Sequence, residues 1–327
     1  MKAITRWGAV ALVVFAAACE NTAGPEVDET FDARAAVDDY AALEGILATA
    51  DWQGLGVIAK AAPAGMPARI GGGAAGPAGA PIISDLNRGA TFVYDAVAGD
   101  WVKDPDRDGA PSNGVRFIVY EEVGGIPDPS RERGFADLID EGDNSVDDVV
   151  LRLQVTEEGT MTMDYGLQVD ETAGRGFVRA QGFVHGDDGR LDFDVALEGS
   201  EAGPNEIVFD LGVEERDFAV RGNLIGSDHS DDGEVHISAE HRANSLDLDF
   251  VAQAGQVTGG VDLDGTAFVL VSGTPDDPQF TRPDGSPLRS IEVLALLRIV
   301  DLAEDVFDLV EDLVDPVGDI VVLGLIL

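Results

Sequence analysis

The chain has 327 residues, 45% of them hydrophobic, which is enough apolar material for one large or two modest domains. Its formal net charge is −41, with 62 acidic residues against 21 lysines and arginines. A surface this acidic argues against nucleic acid as a partner, because binding to phosphates needs a basic footprint.

The one cysteine of the sequence, Cys19, ends a short apolar segment at the N-terminus. Lys2 and Arg6 form the cationic start of this segment, residues 8–15 are apolar, and three alanines at 16–18 precede the cysteine. The apolar stretch is about half as long as the roughly 20 residues that span a bilayer. These features are typical of a cleaved signal peptide.

The segment resembles the lipobox signal of bacterial lipoproteins, in which the cysteine is acylated and becomes the mature N-terminus. The resemblance implies a signal peptide over residues 1–18, lipid (including palmitate) on Cys19, and a tether over 19–29. It also implies a location in the bacterial cell envelope, with the domain exposed to the periplasm or the exterior. Two or more acyl chains anchor a protein stably, so the lipid bilayer is the expected partner. An ordinary secretory signal with a coincidental cysteine is the competing interpretation.

Helical spacing occurs near both ends of the mature chain. Residues 30–50 predict an amphipathic helix, with Val37, Tyr40, Leu43 and Leu47 on one side. Residues 61–81 are dense in Gly, Ala and Pro and predict a flexible loop. Residues 288–315 predict a second amphipathic helix, with an apolar stripe made of Leu294, Leu297, Leu302, Val306, Leu309 and Leu313. Residues 319–327 form an apolar tail too short to span a membrane.

Between residues 90 and 272 the hydrophobic period changes to two. Leu191, Phe193 and Val195, for example, alternate with Asp192 and Asp194. Strict alternation indicates strands with one buried and one wet face, and we count about thirteen of them. The short spacing leaves room for tight hairpins but for no crossover helices.

These elements predict a mainly β (α+β) fold in a single domain over residues 30–327. We expect one large, curled antiparallel meander, either a half-barrel or a closed barrel, with both helices over its apolar face. This architecture resembles the half-barrel lipoprotein carriers and receptors of the bacterial envelope. The resemblance implies binding of acyl chains in an apolar cavity, but it identifies no ligand residues.

One motif points to a metal. Asp104, Asp106 and Asp108, followed by Gly109, have the D-x-D-x-D-G form that opens a calcium loop. The twelfth position is Val115, where an EF-hand needs glutamate, so a looser Ca²⁺ loop between strands competes with an Asp/Gly turn.

The four histidines are interpreted as surface residues: His185, His229, His236 and His241. In an unbroken strand, His236 and His241 face opposite sides, which argues against one site for all four.

Signatures of catalysis are missing from the sequence. It contains no G-x-S-x-G elbow, no phosphate-binding glycine loop with a lysine and no H-E-x-x-H. We therefore expect a non-enzymatic envelope lipoprotein that binds a hydrophobic small molecule, or a protein partner of unknown identity, through its apolar face. An acidic structural surface module, stabilised by Ca²⁺, is the alternative, and a hydrolase of unrecognised type is the second alternative.

Overall fold

The computed structural model of the protein describes residues 32–49, 82–143, 149–172, 175–200, 203–226, 232–242, 244–274 and 277–299. The signal peptide, Cys19, the tether, the loop 61–81, the chain beyond residue 299 and His229 lie outside these residues. Within the described ranges, no helix is long and apolar enough to cross a bilayer.

The described chain is mainly β, and its fifteen strands belong to one sheet. From β3 to β15 the strands follow each other in chain order, while β1 lies between β3 and the edge strand β2. The expected mainly-β meander with an N-terminal and a C-terminal helix is therefore confirmed, with two strands more than the sequence suggested.

The chain divides into two compact units. Unit 1 holds the described residues of 1–45 and 188–308, and unit 2 holds those of 46–187. The single domain over 30–327 stays a prediction.

Unit 2 contains the first seven strands. They are β1 (Ala90–Asp95), β2 (Asp100–Asp104), β3 (Gly114–Val123), β4 (Ile126–Asp140), β5 (Val149–Glu157), β6 (Thr160–Thr172) and β7 (Arg175–Gly186). From β3 to β7 the strands pair antiparallel through hairpins.

One strand pair of unit 2 departs from the antiparallel pattern, because β1 and β3 pair in parallel. Strand β2 turns back from β1 as a hairpin, and residues 105–113 then return the chain to the other side of β1. This non-helical segment supplies the crossover that a parallel pair requires.

Unit 1 contains the other eight strands. They are β8 (Gly189–Ser200), β9 (Asn205–Val213), β10 (Phe218–Gly226), β11 (Gly233–His241), β12 (Asn244–Gln253), β13 (Gln256–Leu263), β14 (Thr266–Thr274) and β15 (Asp277–Thr281). A 3₁₀ turn (Glu214–Arg216) joins β9 to β10. Asp264 and Gly265 join β13 to β14 with φ values of 50° and 71°. A two-residue hairpin turn with positive φ at both residues matches the right-handed twist of the two strands.

Helix α1 (Ala33–Thr49) begins after Asp32, whose side chain accepts a hydrogen bond from the Ala35 N–H at 3.1 Å. Tyr40 and Leu43 are buried, as predicted, but Val37 is only half-buried and Leu47 lies outside the described side chains. The buried side of the helix also includes Asp39, a position that hydrophobic spacing cannot identify.

Residues 290–299 form a second helix, α2. Leu297 of the predicted stripe is buried, but Leu294 is only half-buried, and Ala295, Leu296 and Ile299 are buried beside it. Glu292 is buried as well and accepts hydrogen bonds from Arg282 and Arg289. These ion pairs connect the start of α2 to the segment that precedes it.

Close strand packing predicts opposite responses of two glycines of unit 1 to alanine. A Cβ at Gly259 would press on the carbonyl oxygen of Asp249 and lie 2.8 Å from the Phe250 ring, whereas a Cβ at Gly212 has no neighbour within 4 Å. We expect Gly259→Ala to destabilise the protein by about 1–3 kcal/mol through overpacking. Gly212→Ala should change stability by less than about 0.5 kcal/mol. Denaturation followed by circular dichroism measures both, and equal effects would contradict the described packing.

Candidate functional site

Helix α1 covers one end of the apolar face of unit 1. The Tyr40 ring meets the Phe218 ring edge-on, with centroids 4.9 Å apart. Phe218 begins β10, and its cross-strand partner is His241, the last residue of β11. At this end of the strands, the apolar side chains are at most 3% exposed: Phe218, Val220, Ile237, Ala239, Leu246 and Leu248.

A buried ionic cluster attaches the helix to this end of the sheet. Asp39 accepts hydrogen bonds from His241 Nε2 at 2.7 Å and from an Arg216 guanidinium nitrogen at 3.1 Å, and we name these three residues the Asp39 cluster. The side chains of Asp39 and His241 are 6% and 4% exposed. A carboxylate so far from water requires such partners, because burying an unpaired charge is very costly.

The interpretation of all four histidines as surface residues is therefore wrong for His241. The expected opposite orientation is confirmed, since His236 is exposed on the polar face, where its ring bonds to Asp249. His185 lies on β7 with its ring against that of Phe183. Hydrophobic alternation alone could have placed His241 on the inner face, because it continues the series Ile237 and Ala239.

Tyr40 adds a second polar group to the buried side of α1. Its ring is 2% exposed, and its hydroxyl makes no hydrogen bond within the described chain. Desolvation raises the pKa of the Tyr40 hydroxyl well above its usual value, so the group stays neutral at physiological pH.

The other end of the same strands carries apolar side chains that are only half-buried. Leu224, Val235 and Phe250 lie side by side on β10, β11 and β12, since Val235 is the cross-strand partner of the other two. We name these three residues the apolar row. Six residues separate Leu224 from Phe218, which places the row about 20 Å along β10 from the contact with α1.

The polar face of unit 2 contains a groove of about 480 Å³ across β5, β6 and β7. Gly166 lines it and lies between its cross-strand partners Arg152 and Gln181, which line it as well. Because Gly166 has no side chain, the groove is open at this position, and longer polar side chains surround it. We name this site the polar groove and define it by Gly166 and the lining residues Glu141, Arg152, Asp164, Gln168, Arg179 and Gln181.

Ion pairs fix one wall of the polar groove. Arg152 donates two hydrogen bonds to Asp164, at 2.7 and 2.8 Å, and a longer one to Glu141 at 3.4 Å. Gln154 donates a further hydrogen bond to Asp164 at 3.2 Å. The hydrogen bonds with Asp164 hold the pKa of Arg152 above its usual value, so its charge is permanent.

The candidate calcium loop lies in the crossover between β2 and β3. Asp104 Oδ1 accepts the Asp106 N–H at 3.0 Å, and Asp104 Oδ2 is 3.4 Å from Arg107 Nε. Arg107 also makes two hydrogen bonds to Glu132, at 3.0 and 2.8 Å. The described residues contain no group of three or more His, Cys, Asp or Glu side chains placed to hold a metal.

The Ca²⁺ site at Asp104, Asp106 and Asp108 stays a prediction. In the structure the first carboxylate of the motif forms a local turn, and the guanidinium of Arg107 lies beside it. This positive charge opposes a cation at the same oxygens, which sequence spacing alone does not reveal.

Comparison with known proteins finds no family model, no curated protein and no solved structure that matches this chain.

The Asp39 cluster predicts that two neighbouring carboxylates of α1 differ sharply in their effect on stability. Asp39→Ala leaves a buried histidine and a half-buried arginine without their carboxylate, and we expect a loss of about 3 kcal/mol. Asp38→Ala makes the same change at an exposed position of the same helix turn and should cost less than about 0.5 kcal/mol. Urea denaturation of the two variants measures the difference, and equal midpoints would show that the cluster does not hold the helix.

Proposed function

We propose that the protein is a lipid-anchored lipoprotein of the bacterial cell envelope that binds a hydrophobic molecule and catalyses no reaction. The observation that carries the proposal is the apolar row, which leaves Leu224, Val235 and Phe250 half-buried, whereas the apolar side chains at the α1 end of the same strands are at most 3% exposed. An acyl chain or a similar apolar molecule fits the chemistry of this surface.

The energetics of the apolar row favour a bound apolar molecule. Fully burying one such side chain contributes about 1.5–3 kcal/mol, so covering the exposed part of all three, which is at most about a third of each, contributes up to roughly 1.5–3 kcal/mol in total. The row is at the end of the strands away from α1, so the helix and the ligand do not compete for the same surface.

The lipid anchor is the second part of the proposal and rests on Cys19. Acyl chains on this residue would hold the protein on a membrane. The net charge of −41 would keep the domain away from anionic headgroups and in water. The anchor and the acidic surface are therefore compatible with one position of the protein, above a bilayer.

A second candidate function, an acidic structural surface module, is favoured by the ion pairs of the polar face. Arg116 bonds to Asp137, and Arg221 bonds to Asp210 and Glu240, each across neighbouring strands. Such pairs join adjacent strands without using the apolar face. In this alternative the apolar row is a solvated end of the core and binds nothing.

The hydrophobic-ligand proposal predicts a co-purifying molecule. Residues 20–327, expressed without lipid, should release a stoichiometric apolar compound into an organic extract, identified by mass spectrometry. Val235→Lys places a charge in the apolar row and should abolish the compound. Val208→Lys makes the same change at a residue that is 47% exposed and should retain it. An extract without the compound, or one that is unchanged in Val235→Lys, favours the structural module.

The anchor proposal predicts covalent lipid at one residue. Cells that express the full chain and are fed labelled palmitate should label it, and Cys19→Ser should abolish the label and move the protein from the membrane to the soluble fraction. An unlabelled wild-type chain would contradict the anchor and favour an ordinary secretory signal.

A further inference from the structure

We propose that the polar groove of unit 2 is a binding site for a neutral oligosaccharide. Its volume of about 480 Å³ lies within the range of roughly 300–1,000 Å³ typical of ligand sites. The groove belongs to the polar face and shares no residue with the apolar row. Each of the two proposals can therefore fail without the other.

The charges of the groove exclude an ion as its main ligand. Glu141 and Asp164 are balanced by Arg152 and Arg179, so the lining is neutral in a chain whose net charge is −41. A cation would have to displace Arg152 from Asp164, to which it is bound through two short hydrogen bonds. An anion would approach against the field of the whole surface.

The hydrogen-bonding groups of the groove favour a ligand that itself donates and accepts hydrogen bonds over a purely apolar one. Gln168 and Gln181 each carry both a donor and an acceptor, and Asp164 adds acceptor oxygens held in place by Arg152 and Gln154. An apolar molecule would separate these groups from water without replacing their hydrogen bonds, which costs about 1–3 kcal/mol for each group. Sugar hydroxyls both donate and accept, so they match these side chains.

Phe183 and Val150 both belong to the apolar part of the lining. Phe183 lines the groove and is the cross-strand partner of Asp164, which sets a ring directly beside a fixed carboxylate. A pyranose has the same combination, with C–H groups on its faces and hydroxyls at its edge. The glycine at position 166 leaves the space between Arg152 and Gln181 in which a sugar ring can lie.

Gly166 also provides the sharpest test, because a side chain can be added there without strain. A Cβ at Gly166 meets only the carbonyl oxygens of Leu151 and Gln181, at 3.8 and 4.0 Å, which are ordinary contacts. Gly166→Gln therefore fills the groove and leaves the core unchanged. Gly212→Gln is the matched control, since it adds the same side chain to a strand glycine of unit 1 with no neighbour within 4 Å.

The experiment titrates the purified full chain with maltopentaose and with chitopentaose by calorimetry. The detergent is lauryldimethylamine oxide, which carries no sugar headgroup that could compete. We expect saturable binding of at least one probe, at least about tenfold weaker binding in Gly166→Gln, and unchanged binding in Gly212→Gln. Gln181→Ala, which only removes atoms, should also weaken binding. It tests the proposal if Gly166→Gln does not fold.

Three results would overturn the proposal. The first is that neither neutral probe saturates the wild-type chain. The second is that Gly166→Gln and Gln181→Ala, both folded by circular dichroism, bind as well as the wild type. The third is that the anionic probe trigalacturonate binds more tightly than either neutral sugar, which would contradict the charge balance of Arg152 and Arg179 with the two carboxylates.

Discussion

A strand directs successive side chains to opposite faces, and this constraint makes such an acidic chain foldable. Asp192, for example, stands between Leu191 and Phe193 and lies on the polar face, while both neighbours are buried. The arrangement has a cost, because Asp194 faces Asp210 and Asp247 faces Asp262 directly across neighbouring strands. Like charges in these positions destabilise a sheet. Arg221, which bonds to Asp210 on one side and Glu240 on the other, shows how a few arginines offset that repulsion.

The same constraint cannot fix a helix on the sheet, and unit 1 uses an ionic contact for this purpose. Apolar packing, such as that of Tyr40 against Phe218, depends mainly on buried area and does not by itself define one position of the helix. Asp39, bonded to both His241 and Arg216, defines one position. A buried ionic cluster contributes little net stability compared with an apolar replacement, but breaking it is costly, which is why it specifies the arrangement.

Local patterns in the sequence predict the strands and the orientation of their side chains, and long-range partners account for what they miss. The alternation of Phe193 with its acidic neighbours can be recognised from adjacent positions of the sequence alone. By contrast, Asp39 and His241 are 202 positions apart, and neither residue shows in its own segment that the other will be its partner. The parallel pairing of β1 with β3 escapes prediction for the same reason, since it depends on where residues 105–113 lead the chain. The polar groove depends on the register that places Gly166 between Arg152 and Gln181.

Alternation also gives the two faces different chemistry, and the two proposed ligands differ for this reason. On the inner face, the proposed ligand would replace water around Leu224, Val235 and Phe250. Its affinity would come from the apolar surface area that it buries. On the outer face, the proposed ligand of the polar groove would replace water around side chains that form hydrogen bonds. Its affinity would come from donors and acceptors that match those side chains. Two of the chain's 21 basic residues, Arg152 and Arg179, line one groove and make it neutral within a strongly negative surface. This local neutrality is the basis of the proposal that the groove binds an uncharged polar molecule and not an ion.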